Sequence, residues 1–399
     1  MDEASRAHPK PYALDRWTSM RVTVGLLIVG VLSCLVLLVD GIARSAAGES
    51  AAAAIALAAL LVAVANDIRR FRGARTGRGL RVVAIGGGTG LPVSLRAAKI
   101  HTSNITAIVT VADDGGSSGR LRREMRVAPP GDLRNNIAAL ADDESLMTRL
   151  LQYRFSGGEL RGHAFGNLFI AALADITGSL DQALTEVARV LNLRGRVLPT
   201  TLDDVKLVAT VLQPDRDVTI RVEGESQIPE TGGRIQSVTI EPETVRAFPD
   251  SVAAILNAQV VLIGPGSLYT SILPSLLVPG ILDALRASAA IKVYVCNVAE
   301  QPGETTGYTV ADHILALERH IGRGVFQVVV SNGHFPTENA GPNTVYVKPP
   351  QPHHEVRQRY DIRSYDLTDN QRPWRHDALK LSNVIRELVD ADRSGDTTG

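Results

Sequence analysis

The chain has 399 residues, of which 45% are hydrophobic and 21% charged, and its 42 basic and 42 acidic residues give a formal net charge of zero. This composition excludes disordered and collagen-like chains, and the length suits one large domain or two ordinary ones. Basic residues are in excess within 1–81, which leaves a mildly acidic body that lacks the basic face expected of a nucleic-acid-binding protein.

Two apolar stretches near the start predict a transmembrane helical hairpin. Val22–Val39 contains no charged residue, and Ala51–Ala65 is rich in alanine and leucine. Because a spanning helix needs about 20 mostly apolar residues, we expect transmembrane helices at about 22–39 and 47–65. The flank of the first stretch has no small-residue cleavage pattern, which argues against a signal peptide. A buried alanine-rich core helix is the alternative for the second stretch.

Basic residues flank the predicted hairpin unevenly. Four precede it and one lies in the turn, whereas six arginines follow it, namely Arg69, Arg70, Arg72, Arg75, Arg78 and Arg81. The positive-inside bias therefore predicts a plasma-membrane protein whose body and both termini are cytoplasmic. Residues 1–79 form this membrane anchor, which ends in a basic, glycine-containing linker suited to anionic headgroups.

The rest of the chain follows the pattern of a doubly wound α/β domain, expected over 80–389. Leu80–Ile85 is a short apolar run that stops at a glycine-rich turn, and Leu91–Lys99 then has helical spacing. Strand, glycine turn and helix is how such domains begin. Further strands are predicted at Ile105–Ala112, Ala258–Ile263, Ile291–Asn297 and Val325–Ser331.

Helical periodicity predicts a helix at Leu133–Ala141, with Asp132 as its N-cap. Other helices are expected at Glu144–Tyr153, Phe165–Ala174, Leu180–Leu191 and Leu379–Val389. Alternating stretches within Val197–Pro242 predict an antiparallel excursion beside a mostly parallel, Rossmann-like sheet. Residues 390–399 are expected to be a disordered tail.

Four predicted strands end in small or polar residues, at Gly86–Gly90, Asp113–Ser118, Gly264–Ser267 and Asn297–Thr306. Ligands of open α/β sheets bind in the crevice outside the carboxyl ends of the strands. The sequence therefore predicts a ligand site where these four segments converge.

The two glycine loops are expected to bind phosphate. Gly86–Gly90 does not match the dinucleotide fingerprint, but its glycines permit close approach to a helix N-terminus. Gly264–Ser267 repeats this design with a hydroxyl added, and Tyr269 follows as a residue that could stack on a base or bond a phosphate. Two such loops indicate a diphosphate, or a nucleotide plus a second anion, while a tight turn without ligand is the alternative.

Other polar residues leave several roles open. Asp113 and Asp114 could bond ribose hydroxyls, hold Mg²⁺ or simply form a turn. If they hold Mg²⁺, they are the candidate catalytic and metal-binding residues. His163 could be a general base, although a histidine before a helix is more often a structural hydrogen-bonding group. Further side chains with hydrogen-bonding capacity are Arg134, Asn135, Asn136 and Asn167.

Several long motifs resemble the gluconeogenesis-factor (YvcK-like) family, which is related to 2-phospho-L-lactate transferase. They are VVAIGGGTGLPVSLR, VTVADDGGSSGRLRREMRVAPPGDLRNNIAAL, GHAFGNLFIAAL, IGPGSLYTSILPSLLVPGI, CNVAEQPGETTGYTVADH and a late RHD. The resemblance covers about Leu80 to Leu388 and implies a CofD-like domain that binds UDP-sugars such as UDP-N-acetylglucosamine. It also implies a regulatory role in growth on gluconeogenic carbon sources, in cell shape and in peptidoglycan synthesis, with cell-wall synthesis proteins as partners.

The resemblance assigns ligand contacts to the two glycine loops, the aspartate pair, Asn297, Arg375 and His376. Together with the polar residues noted above, the expected ligand-binding set is Gly86, Gly87, Gly88, Thr89, Gly90, Asp113, Asp114, Asp132, Arg134, Asn135, Asn167, Gly264, Gly266, Ser267, Tyr269, Asn297, Arg375 and His376. A homo-oligomer is also expected. The segment 333–374 departs from the family pattern, so the residues that select the base or sugar are not identified there.

Two functions are compatible with these features. A sensor or scaffold needs the phosphate loops and a partner surface, and it is the favoured hypothesis. A Mg²⁺-dependent transferase, as in the 2-phospho-L-lactate transferases, needs an ordered metal as well, for which only the aspartate pair is available.

Overall fold

The computed structural model describes residues 79–125, 127–141, 146–213, 217–341 and 343–395. The predicted transmembrane helices 22–39 and 47–65, and most of the basic linker, lie outside these residues. Within the described part of the chain, no single helix combines the length and apolar composition needed to cross a membrane. The bent pair Leu268–Leu276 and Pro279–Ala287, with 73° between its helices, meets that test only when both helices are taken together.

In the described part of the chain, ten strands form two sheets. In chain order they are β1 Val82–Gly86, β2 Ile105–Val109, β3 Arg196–Pro199, β4 Lys206–Gln213, β5 Val218–Glu223, β6 Arg234–Glu241, β7 Val260–Ile263, β8 Ile291–Val295, β9 Val328–Asn332 and β10 Asp361–Tyr365. The larger sheet has the order β10-β9-β8-β7-β1-β2-β3, and every neighbouring pair in it is parallel. The smaller sheet has the order β5-β4-β6 and is antiparallel. The predicted α/β class and mostly parallel sheet are therefore confirmed.

Helices connect and cover these strands. They are α1 Leu91–Lys99, α2 Gly116–Met125, α3 Gly131–Leu140, α4 Leu146–Gln152, α5 Phe165–Thr177, α6 Leu180–Val190, α7 Pro249–Leu256, α8 Leu273–Leu276, α9 Pro279–Ala287, α10 Val310–Ile321, α11 Val356–Arg359 and α12 Ala378–Gly395. A π-helical turn, Leu268–Ile272, leads directly into α8.

Alternate residues of each strand point to opposite faces of the large sheet, and helices cover both faces. In β1, Val82 and Ala84 join the apolar core beneath α1, α3 and α12, whereas Val83 and Ile85 join the core beneath α9 and α10. Parallel strands covered on both faces read as continuous hydrophobic runs, which is why the sequence pattern identified them.

Parts of the sequence-based assignment differ from the structure. Arg196–Pro199 pairs in parallel with β2 and belongs to the large sheet, so only the later part of the predicted excursion is antiparallel. The helix α2 was not predicted. The last helix continues to Gly395 rather than ending at Val389, so the first six residues of the predicted disordered tail are helical.

Candidate functional site

The order of strands changes direction between β1 and β7. The chain passes from β1 to β2 and β3 on one side, and the later strands β7 to β10 build outward on the other side. The carboxyl ends of neighbouring parallel strands at such a point diverge into a crevice, which is the usual ligand position of open α/β sheets. The two predicted phosphate loops follow β1 and β7, so both lie at this switch point.

The two glycine loops pack against each other without intervening side chains. A Cβ atom added to Gly90 would lie 2.5 Å from the carbonyl oxygen of Pro265 and 2.8 Å from the Cα of Gly266. A Cβ added to Gly87 would lie 2.5 Å from an oxygen of Asp132. Glycine is therefore required at Gly90 for contact between the two loop backbones and at Gly87 for the approach of the Asp132 side chain, whereas Thr89, between them, is exposed.

Asp132 is not the N-cap that the sequence suggested. Helix α3 begins at Gly131, with Pro130 before it, so Asp132 lies in the first turn. Its carboxylate accepts a hydrogen bond of 2.7 Å from the backbone N–H of Gly88. Burial, with the charge of Asp113 adding to it, raises the pKa of Asp132 to about 7. Asp132 thus links α3 to the first glycine loop, and its carboxyl is partly protonated near neutral pH.

The aspartate pair after β2 is partly buried and turned in two directions. Asp113 accepts a hydrogen bond of 2.9 Å from the N–H of Gly115, and burial raises its pKa. Asp114 accepts one of 2.9 Å from the N–H of Ser226, in the connection between β5 and β6. The pair therefore links the crevice to the small antiparallel sheet.

Glu225 is a site residue that the sequence analysis missed. Burial and, after it, the charges of the nearby carboxylates together raise its pKa to about 8; these carboxylates are Asp113, Asp132, Asp114 and Glu304. It lies in the β5–β6 connection, after an edge strand of the small sheet and not after one of the parallel strands that end at the crevice. Only the docking of this connection onto the aspartate pair brings Glu225 to the crevice.

The carboxylates of the crevice are candidate ligands for the Mg²⁺ that a transferase would need. Among the described residues, no three acidic, histidine or cysteine side chains are grouped closely enough to hold a metal ion. Mg²⁺ is commonly held by one or two carboxylates together with substrate phosphates. Asp113 and Asp132, each of which raises the pKa of its neighbours, fit that smaller set of ligands.

Asn297 braces the second glycine loop. Its amide oxygen accepts a hydrogen bond of 3.1 Å from the N–H of Gly266, and its amide nitrogen donates to the carbonyl oxygen of Gly266 at 2.9 Å and to Gln301 at 3.0 Å. Gln301 also donates to Ser267 at 2.7 Å. The side chain of Asn297, expected to touch the ligand, is thus occupied in shaping the loop.

Tyr269 cannot stack on a ligand in this structure. Its side chain is 0% exposed, and its hydroxyl lies 2.8 Å from that of Tyr308. Its backbone N–H donates to Glu304, which also accepts from the hydroxyl of Thr270 at 2.9 Å. The aromatic ring after the glycine loop is therefore a core residue, and Glu304 caps the π-helical turn.

The late Arg375–His376 pair comes from the C-terminal part of the chain, and its histidine contacts the backbone just after β8. The ring of His376 bonds the carbonyl oxygen of Cys296 at 3.0 Å, and burial lowers its pKa to about 4, so it is neutral at physiological pH. It supports the residue before Asn297. Arg375 is exposed, and in the described part of the chain its guanidinium forms no hydrogen bond or ion pair.

A second polar group surrounds Arg134. Its Nη2 donates to the side-chain oxygen of Asn135 at 2.8 Å, and the amide of Asn167 donates to the hydroxyl of Ser117 at 3.1 Å. That hydroxyl also lies 3.1 Å from Nδ1 of His163, whose pKa is lowered by burial and by the charge of Arg120. His163 is therefore a neutral member of a buried network.

Comparison with known proteins identifies the class of this α/β domain. The sequence profile of the family described as 2-phospho-L-lactate transferase CofD matches residues 82–392. The chain belongs to this family, and its curated relatives place it with the gluconeogenesis factors.

Among these relatives is the putative gluconeogenesis factor of Thermotoga maritima, 44% identical over 318 residues, which are 77% of this chain and 99% of the relative. The gluconeogenesis factor of Bacillus subtilis is 50% identical over 63% of this chain and 78% of its own length. The putative gluconeogenesis factor of Nostoc sp. is 53% identical over 65% of this chain, and the match spans 56% of that relative. A crystal structure of a UPF0052 family member from Bacillus halodurans is 41% identical, with a TM-score of 0.72, and covers 77% of this chain and 99% of that one.

Proposed function

We propose that the crevice at the β1–β7 switch point binds a UDP-sugar such as UDP-N-acetylglucosamine, and that the protein is a regulatory binding protein. In this function the ligand reports on carbon metabolism, and the protein passes that signal to cell-wall synthesis and cell shape. The observation that carries the proposal is the direct contact between two glycine loops at the switch point.

The chemistry of the crevice supports a nucleotide diphosphate. Backbone N–H groups at the start of α1, together with the helix dipole, favour negative charge beside Gly88–Gly90. Gly264–Ser267 provides a second close backbone approach on the neighbouring strand. Carboxylates such as Asp113 accept hydrogen bonds, so they suit ribose or sugar hydroxyls, which can donate them. Ionised phosphates have no such donor.

The name of the relatives supports the regulatory part of the proposal. Proteins 41–53% identical to this chain are called gluconeogenesis factors. Sensing requires binding without turnover, and the braced loops with the free guanidinium of Arg375 provide a binding site. We extend the proposal to cell-wall synthesis proteins as partners, and to a homo-oligomer as the working form.

Isothermal titration calorimetry of the purified full-length protein tests the ligand directly. UDP-N-acetylglucosamine should bind more tightly than NAD or ATP, and UDP alone should retain part of the affinity. Tighter binding of NAD would instead favour a dinucleotide in the same crevice and would reject the UDP-sugar.

The second function to test is a Mg²⁺-dependent transferase, as the family description suggests. The observation in its favour is the set of carboxylates with raised pKa, which a divalent cation would stabilise in the ionised form. If it operates, the protein should consume a nucleotide sugar or an activated lactate only with Mg²⁺. Asp113→Asn should abolish that turnover while preserving much of the nucleotide affinity.

We further propose a plasma-membrane location with body and termini cytoplasmic, on the basis of the sequence of residues 1–79. A reporter fused after Arg78 should lie in the cytoplasm, and the protein should sediment with membranes. Recovery of the full-length chain from the soluble fraction without detergent would reject this location.

A further inference from the structure

The guanidinium of Arg134 is buried but largely unpaired. Arg134 is 5% exposed, and among the described residues its Nε and Nη1 atoms have no hydrogen-bond partner. Its Nη2 donates to the side chain of Asn135. A buried guanidinium carries five donors and cannot lose its charge at physiological pH. Unpaired donors of this kind are costly, and an anion is their ordinary partner.

The surroundings of Arg134 are held in place by close packing. A Cβ added to Gly166 would lie 2.8 Å from Cγ and 2.9 Å from Cδ of Arg134, so the arginine stem runs against the first turn of α5. Asn167, next in that turn, bonds Ser117 near the start of α2. The stem of Arg134 therefore lies beside the N-terminal turn of α5, where the backbone dipoles also favour an anion.

Further positive charge gathers at the same place. The charge of Arg154 is the largest electrostatic influence lowering the pKa of Arg134, after burial itself. Arg154 donates to the carbonyl oxygen of Gly162, and Arg120 donates to that of Arg161, one residue earlier. The Nε of Arg120 is likewise buried and unpaired.

Carboxylates do not satisfy these donors. Asp132 and Asp113 are near enough to influence the pKa of Arg134, yet neither forms an ion pair with it within 4.0 Å in the described part of the chain. Asn167 adds an amide oxygen that is buried without a partner. Turning that amide over would let Ser117 donate to its oxygen and would direct the N–H₂ group to the unpaired side.

We propose that Arg134, Asn167 and Ser117, supported by Arg154, form a second anion subsite that takes a phosphate group. This subsite extends the crevice and so rests on the proposed function, but its phosphate is not the diphosphate assigned to the glycine loops. Arg134 lies two residues after Asp132, which holds the first glycine loop, on the same helix α3. Because a UDP-sugar has no phosphate beyond its diphosphate, this subsite takes free inorganic phosphate.

The test is a titration of purified full-length protein with inorganic phosphate, followed by calorimetry and by thermal unfolding at constant ionic strength. Wild type should bind phosphate, and Arg134→Gln should bind it at least about tenfold more weakly. Arg96→Gln removes the same charge from the exposed face of α1 and should match wild type. General stabilisation by phosphate acts on all variants equally and cancels in this comparison.

Because Arg134 is buried, its variant could fail to fold, and Arg154→Gln is then decisive. Arg154 is exposed, and its removal should weaken phosphate binding without loss of folding. Unchanged phosphate affinity in a folded variant at either position overturns the subsite. That result would leave Arg134 as a counter-ion of Asp132 and Asp113.

Competition separates this subsite from the glycine loops. Phosphate that binds together with UDP supports a separate subsite, and its exclusion by UDP-N-acetylglucosamine but not by UDP supports a subsite that lies next to the sugar of that ligand. Exclusion by UDP itself places the phosphate at the glycine loops and overturns the proposal. The proposed function fails separately, if UDP-sugars do not bind while phosphate still depends on Arg134.

Discussion

Replacing Glu225 by Gln should stabilise the protein, and increasingly so as the pH rises. The carboxyl of Glu225 is partly buried and faces four other acidic side chains, which together give it a pKa of about 8. Glutamine keeps the shape of the side chain and removes the charge. The substitution therefore removes the burial and repulsion of a carboxylate from the crevice.

The sign follows from proton binding. An ordinary glutamate has a pKa of about 4.3, so between about pH 4.5 and pH 8 the folded state holds a proton at Glu225 that the unfolded state has lost. Wild-type stability should fall as the pH rises through that window, and this contribution should level off above it. In Glu225→Gln this part of the dependence is absent, although Asp132 retains its own.

The magnitude is several kcal/mol for a fully buried group, because each tenfold change in protonation is worth about 1.4 kcal/mol. Glu225 retains some solvent exposure and its charge is coupled to its neighbours, which reduces the expected gain of the variant to about 1–3 kcal/mol. This gain is the amount by which the stabilisation of Glu225→Gln over wild type at pH 8.5 exceeds that at pH 5.

Urea unfolding at pH 5 and pH 8.5 measures the effect, with Glu230→Gln as the matched control. Glu230 lies five residues further on in an exposed turn, and its neutralisation should change the free energy of unfolding little at either pH. If Glu225→Gln gains no more stability between the two pH values than this control does, the electrostatic description of the crevice is refuted.

Three further predictions concern the glycine loops and their surroundings. Arg375→Ala should weaken UDP-sugar binding in calorimetry about ten- to a hundredfold, because a charge-assisted contact worth about 1.5–3 kcal/mol is lost, whereas Arg386→Ala on α12 should not. Asn297→Ala should lower both ligand affinity and melting temperature, since the second glycine loop loses its brace; unchanged affinity would exclude that role. Tyr269→Phe should cost about 0.5–1.5 kcal/mol in chemical denaturation, by losing the bond to Tyr308, with unaltered ligand affinity; a loss of binding would restore direct contact with the ligand.

The large sheet could be predicted because its strands have a clear sequence pattern. Each central strand is a short run of mostly β-branched and aliphatic residues, and β1 and β7 stop at glycine. The position of the crevice follows from that pattern alone, since parallel strands place their carboxyl ends together. The same signal fails for β10, Asp361–Tyr365, whose residues are mixed in polarity because it is the edge strand.

Helix α2 was missed because its sequence opposes a helix locally. It begins Gly116-Ser117-Ser118-Gly119, and both residue types have low helix propensity. In the structure Ser117, Ser118 and Gly119 are buried against neighbouring segments, so tertiary packing outweighs propensity there. No spacing rule along the chain could have supplied that contact.

The predicted ligand residues divide according to what their hydrogen-bonding groups already do. Asn297 and Asp132 are held by backbone groups of the two glycine loops, and Tyr269 is in the core, so these residues shape the crevice. The sequence could not separate such supporting residues from contacting ones, because both are polar or aromatic and lie at the same strand ends.

The side chains with donors still unused are different residues. Arg375 is exposed and unpaired among the described residues, and Arg134 is buried with two unpaired nitrogens. Both are permanently cationic, whereas the nearby carboxylates Asp132 and Glu225 have pKa values of about 7 and 8 and can take up protons near neutrality. An anionic ligand can therefore meet fixed positive charge while the acidic groups are partly neutralised, which favours binding without any chemical step. A transferase would require those same carboxylates to be ionised around a cation, so the pH dependence of ligand affinity with and without Mg²⁺ distinguishes the two functions.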